Sequence, residues 1–229
     1  MIKFYSKYNQ HYVAIDCIIF GFDYNELKIL LIKRDFEPGK GEWSLMGGFL
    51  DKQESLDNGA YRILRNLTGI ENIFLEQFHT FGEIERDPGA RVLSVAYYAL
   101  IKTDQYDLSL QGNHSSKWFS LNNMPPLIFD HSNMIKLALE HLRKEIKLRP
   151  IGFELLPKKF TIPQLQKLYE SIYLKQLDKR NFRKKILSMQ ILKKTDEKDK
   201  EFSKKGAYLY KFDIERYKQL QNNGFLFDI

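Results

Sequence analysis

Two hydrophobic periods alternate along this chain, and they divide it into strand-rich and helix-rich stretches. Tyr12 to Phe22 is a β-rich apolar run. The turn residues Gly21-Phe22-Asp23-Tyr24-Asn25 separate it from Leu27-Lys28-Ile29-Leu30-Leu31-Ile32, and the pair predicts a hairpin inside a sheet. A loop at Glu37-Pro38-Gly39-Lys40-Gly41 precedes a short strand, Trp43–Met46, and the pair Gly47-Gly48. Between Ser55 and Thr68 the apolar residues Leu56, Ala60, Ile63, Leu64 and Leu67 recur at helical spacing, with Gly69 just past the helix end. Strand-like segments return at Phe74–Ile84 and Val92–Lys102, and Met134–Lys147 reads as a second amphipathic helix.

Beyond Arg149-Pro150-Ile151-Gly152 the pattern changes. Thr161 and Gln164 form a capping box, with Pro163 tolerated in the first helical turn. The helix that follows gathers Ile162, Leu165, Leu168, Tyr169 and Ile172 on one face. After the connection Tyr173–Leu177, Asp178 can cap a further helix from Lys179 to Met189 that buries Phe182, Ile186 and Met189. Its other faces hold Lys179, Arg180, Asn181, Arg183, Lys184 and Lys185. Ile191–Lys194 and Ala207–Phe212 then read as two strands, with a charged loop containing Lys198, Lys200, Lys204 and Lys205 between them.

Charge sharpens that division. The net +7 of the 229 residues is unevenly spread: residues 1–149 hold 18 Lys+Arg against 19 Asp+Glu, and residues 150–229 hold 18 against 10. The last third is therefore the basic part, as in a module that meets a polyanion. We expect two domains, 1–149 and 150–229. The single cysteine, Cys17, has no cysteine partner for a disulfide or metal site and sits in an apolar run as a buried strand thiol. No stretch approaches the ~20 apolar residues of a membrane-spanning helix, and the amino terminus lacks a secretion-signal core. The expectation is a cytoplasmic protein with no membrane partner.

Gly48, Glu54, Arg62 and Gly69-Ile70 fall in register with a known constellation: Gly, five residues, Glu, seven residues, then Arg-Glu-apolar-x-Glu-Glu-x-Gly-apolar. With Trp43-Ser44-Leu45-Met46-Gly47-Gly48 before it, this resembles the Nudix box. Glu85-Arg86-Asp87-Pro88 and Arg91–Tyr98 resemble strands of the ADP-ribose pyrophosphatase branch. The resemblance covers roughly residues 10–145 and implies a mixed β-sheet held between helices. It also exposes a loss. In the family, glutamates on one helix face hold the divalent ions that pyrophosphate hydrolysis needs. Here those three positions are Ile63, Asn66 and Leu67, with Arg65 beside them. No catalytic residue and no metal or other cofactor is expected, and Glu54 reads as an ion-pair partner within the loop–helix unit. Asp51 and Asp57 are the carboxylates left nearby for a rebuilt metal site. The alternative is a Mg-dependent nucleotide-sugar pyrophosphatase.

A pocket that no longer cuts its ligand can still bind one. Trp43, Met46, Glu83, Glu85, Arg86 and Arg91 are the candidate effector-binding residues. The basic segment reads as a winged helix-turn-helix whose second helix enters the major groove, with Arg and Asn able to read base edges and wing lysines lying on phosphates. Thr161, Lys179, Arg180, Asn181, Arg183, Lys184, Lys204 and Lys205 are the candidate DNA-binding residues. The segment Leu177-Asp178-Lys179-Arg180-Asn181-Phe182-Arg183-Lys184-Lys185, joined to a Nudix-like half, resembles the Nudix-related transcriptional regulators. That resemblance implies an α+β chain and a homodimer on double-stranded operator DNA. It also implies an effector that is either an ADP-ribose-like nucleotide sugar or a sugar such as L-arabinose. The missing phosphate-and-metal machinery leans toward a sugar.

Overall fold

A computed structural model describes residues 5–106, 115–200, 206–223, 225 and 227. It contains a seven-stranded sheet and a three-stranded sheet, each with its own helices. Two compact units result, Met1–Gly21 with Lys28–Ala138, and Phe22–Leu27 with Leu139–Ile229.

The expected hairpin runs are β1 (Tyr12–Phe22) and β2 (Leu27–Lys33), neighbours in the larger sheet. The single short strand expected at Trp43–Met46 is two, β3 (Trp43–Ser44) and β4 (Met46–Phe49). They separate because β3 pairs β2 while β4 pairs β1. Leu45, between them, donates its N–H to the buried Nδ1 of His131 at 3.1 Å. Helix α1 spans Leu56–Thr68, capped by Ser55 and closed by Gly69 in the left-handed region at φ 71°.

Next come β5 (Glu76–Phe81), shorter than the apolar run predicts, β6 (Val92–Lys102) and β7 (Ser115–Ser120). The sequence reading missed β7, whose backbone pairs β2 from Lys28↔Ser120 to Lys33↔Ser115. Helix α2 (His131–Leu148) begins three residues earlier than its apolar pattern. Odd-numbered positions of β1 (Ile15, Cys17, Ile19) and of β6 (Val95, Tyr97, Ala99, Ile101) pack with Ala60, Ile63, Leu64 and Leu67 of α1. This is the period-2 face of a sheet meeting the 3.6-period face of a helix.

In the second unit, β8 (Phe160–Thr161) leads into α3 (Ile162–Tyr173) through the complete capping box of Thr161 and Gln164. Leu174, at φ 54°, turns the chain toward α4 (Lys179–Ser188), capped by Asp178. Strands β9 (Leu192–Asp199) and β10 (Ala207–Phe212) pair antiparallel in the order β8-β10-β9, and α5 (Ile214–Asn222) follows. Ile162, Leu165, Leu168, Tyr169 and Ile172 are all buried, as their spacing predicts.

One wing expectation needs correction. Lys198 lies within β9, opposite Tyr208, and not in the loop, because ladder hydrogen bonds extend a strand that is polar throughout after Leu192. The strand expected at Ala207–Phe212 also carries a register shift between Tyr208 and Tyr210, with Tyr208 exposed and Tyr210 buried. No helix among the described residues is long and apolar enough to cross a membrane.

Candidate effector pocket and nucleic-acid interface

The Nudix-box segment keeps its shape through Glu54. Arg62 donates from Nε to Glu54 Oε2 at 2.8 Å and from Nη2 to Glu54 Oε1 at 2.5 Å, and also reaches the Phe49 carbonyl at 3.0 Å. The Asp51 N–H adds a bond to Glu54 Oε1 at 2.8 Å. The Arg62 hydrogen bonds, with that from Asp51, hold the Glu54 carboxyl down at about 2. Glu54 is thus the ion-pair partner the sequence reading expected.

The Mg²⁺ that a Nudix box implies does not fit the groups present. Ile63 and Leu67 are buried in the core, and Asn66 is exposed. Arg65 pairs Glu71 at 2.7 Å. Asp57 accepts from the Tyr97 hydroxyl at 2.6 Å, and Asp51 lies 3.6 Å from Arg62. Among the described residues no three His, Cys, Asp or Glu side chains form a metal-holding group.

A cavity of about 310 Å³ opens beside the box, lined by Asp16, Arg34, Phe36, Gly47, Gly48, Arg86, Phe129 and His131 among others. Its floor is a buried polar network. Arg86 donates to both oxygens of Asp130, at 2.9 and 2.8 Å, and lies 3.7 Å from Asp16. Asp16 accepts from the Ser94 hydroxyl at 2.5 Å and faces His131 Nε2 at 3.8 Å. Burial lowers the pKa of His131, against the opposing pull of Asp16 and Asp130. Because Nδ1 accepts the Leu45 N–H, the imidazole hydrogen is assigned to Nε2, aimed at Asp16. Gly47 is required by close approach: a Cβ there would stand 2.3 Å from Asp16 Oδ1. On the rim, the Arg34 guanidinium stacks on Phe36 at 4.1 Å and donates to the Pro38 carbonyl at 2.7 Å.

Of the candidate effector residues, Arg86 lines this cavity. Met46 is fully buried in the core, and Trp43 packs edge-on against Phe119 at 4.7 Å. Glu83 and Glu85 are exposed. Arg91 is occupied by the carbonyls of Gly82 and Glu83, each at 2.8 Å. The sequence reading missed Asp16, Arg34, Phe36, Phe129 and His131. Only the Arg34-Asp35-Phe36 cluster following β2 offered a local signal, since the others converge from distant strands and a helix start.

In the basic unit, Lys179, Arg180, Asn181, Arg183, Lys184 and Lys185 are all exposed around α4, whose inner face buries Phe182 and Ile186. Tyr169 meets Phe182 at 5.9 Å between ring centroids, anchoring α4 on α3. Thr161 is buried at the N-cap of α3, accepting the Gln164 N–H at 3.3 Å. On the wing, Lys194 and Lys198 lie over the Tyr208 ring at 3.6 and 4.6 Å. Lys204 and Lys205 lie outside the described residues.

A Nudix-like sheet-and-helix unit followed by a basic winged helix defines a class of DNA-binding regulators. Residues 10–138 match the Nudix domain family, and residues 152–212 match the NrtR DNA-binding winged helix domain. The ADPR responsive transcriptional repressor NtrR of Acinetobacter baylyi is 33% identical over 216 residues, covering 93% of this chain and 86% of the relative. NrtR of Shewanella oneidensis, solved with a 27mer DNA, superposes with TM-score 0.75 at 28% identity, covering 90% of this chain and 95% of that one. The Nudix domain of the same S. oneidensis protein, solved with ADP ribose, gives TM-score 0.54 at 31% identity, covering 60% of this chain and 92% of that one. The chain belongs to the NrtR-type family of Nudix-related transcriptional regulators.

Proposed function

We propose that this chain is a transcriptional repressor that binds operator DNA through its winged helix and releases it when ADP-ribose occupies the Nudix cavity. The observation that carries this reading is the combination inside one unit of an intact box turn, a cavity beside it that includes Arg34, Arg86, Phe36 and Phe129, and apolar Ile63 and Leu67 at two glutamate positions of the box. A ligand bound there meets Arg34, Arg86 and the rings of Phe36 and Phe129, with Asp16, Glu37 and Asp87 also in the lining; among the described residues no three His, Cys, Asp or Glu side chains form a metal-holding group. Arginines suit phosphate oxygens and aromatic faces suit a base, which favours a nucleotide sugar over L-arabinose. The relatives described above support the same choice, since the ligand named with them is ADP-ribose and none names a pentose. ADP-ribose therefore takes the place of the simple sugar expected from the sequence.

In this reading residues 1–149 sense the effector and 150–229 bind DNA as a homodimer. Arg86 serves the effector, while Met46 belongs to the core and Trp43 packs on Phe119. Lys179, Arg180, Asn181, Arg183 and Lys184 bind DNA, and Lys204 and Lys205 add further positive charge toward it; Thr161 contributes by fixing the start of α3. The chain has no hydrolase role. Effector binding favours a state with weaker DNA affinity, so affinity falls by the differential binding energy of ADP-ribose for the two states.

Anisotropy titrations of an operator duplex from upstream of the regulated genes test the proposal. ADP-ribose should release the DNA, and L-arabinose should not. Unchanged operator affinity at saturating ADP-ribose would sink it.

A further inference from the structure

The compact unit that joins Leu139–Leu148 of α2 to the winged helix contains a second concavity, of about 580 Å³, on the flank of α4. Its charged walls come from three elements. Arg143 and Lys147 stand four apart on α2, Lys175 follows α3, and Lys185 lies on α4. Asp178 and Asn181 line it as well. Four cations face a single carboxylate, and an oxygen of that carboxylate already accepts the Asn181 N–H at 2.8 Å as the cap of α4. Arg143 is fixed in place, donating to the carbonyls of Ile172 and Tyr173 at 2.9 and 3.3 Å. Lys175 lies over the Tyr173 ring at 5.3 Å. A cleft so charged is built to hold an anion.

Its position selects the anion. Positions 180 and 184 project from α4 roughly opposite the buried Phe182 and Ile186, whereas Asn181 and Lys185 lie on the flank that forms the cleft wall. A helix with its side chains is about 10–12 Å across, close to the roughly 12 Å width of the major groove. A helix seated there has backbone phosphates running along both flanks. We infer that this cleft receives phosphodiesters of the bound duplex, so that Lys147 of α2 and Lys175 of the α3–α4 turn belong to the DNA interface. The inference rests on the DNA-binding reading above and extends it to residues outside the recognition helix and wing.

The test measures binding of the full-length protein to a labelled duplex of arbitrary sequence over a potassium chloride series. Each lost phosphate contact should reduce the magnitude of the slope of log K against log salt by about 0.9. Lys147→Ala and Lys175→Ala should each flatten the slope by about that amount, and the double variant by about twice it. Lys52→Ala, in the loop before α1, should leave the slope unchanged. Circular dichroism melts confirm that each variant is folded. Wild-type slopes in both variants would overturn the inference. So would equal slopes combined with tripolyphosphate raising the Tm of wild type but not of the double variant, which would make the cleft a small-anion site. A wild-type chain that bound no duplex would overturn the DNA-binding reading itself, a result distinct from both.

Discussion

Arg62 occupies both carboxylate oxygens of Glu54, at 2.8 and 2.5 Å, so the one acid retained from the Nudix box is committed to structure. Its pKa, near 2, lies below the ordinary carboxylate value, so the folded state favours the charged form. The stability this confers is fully present above the ordinary carboxylate pKa and disappears as pH falls through about 2. Glu54→Gln should lower the urea midpoint at neutral pH, with the gap to wild type closing between about pH 4.5 and pH 2. Incubation with Mg²⁺ and ADP-ribose should release no AMP from either protein. AMP release by wild type that collapsed in Glu54→Gln would restore the hydrolase alternative.

Gly47 and Asp16 are packed without room for one more carbon. Gly47→Ala should displace the Asp16 carboxylate from Ser94 and distort the cavity floor. A loss of about 1–3 kcal/mol in unfolding free energy is expected from such overpacking. The Tm gain on adding ADP-ribose should vanish with it. An unaltered ligand-dependent Tm would place the effector elsewhere.

Arg180 and Lys184 share the outward face of α4 but differ in chemistry. Arg180→Ala should weaken operator binding by roughly 1–3 kcal/mol if it removes a bidentate base contact, and narrow the gap between operator and unrelated duplex. Lys184→Ala should weaken both duplexes alike. Anisotropy titrations on the two duplexes distinguish the outcomes.

Thr161 caps α3 and is buried, so its substitution should register first as stability. Thr161→Ala should destabilise the protein by about 1 kcal/mol, and Thr161→Ser should recover most of it because serine caps equally well. Thermal melts of the two variants provide the comparison. If Thr161→Ala left stability unchanged but abolished operator binding, the hydroxyl would be a DNA contact instead.

What the sequence determined by itself was whatever local chemistry enforces. Apolar spacing located α1, α3 and β6, because helical and strand periods are written in neighbouring residues. Capping chemistry fixed the starts of α3 and α4, and the register of Gly48, Glu54, Arg62 and Gly69 identified the box even as Ile63 and Leu67 withdrew its metal site. The wing's extent was not legible: β9 runs through polar residues held by backbone pairing with β10, which composition does not encode. The effector cavity was decided by the tertiary structure alone. Asp16, Arg34, Arg86, Phe129 and His131 come from separate segments and meet only when the sheet closes under the start of α2. A buried carboxylate in an apolar strand has no local signature. Its partners Ser94, Arg86 and His131 are supplied by the fold, and with them the reason that an acid could remain there.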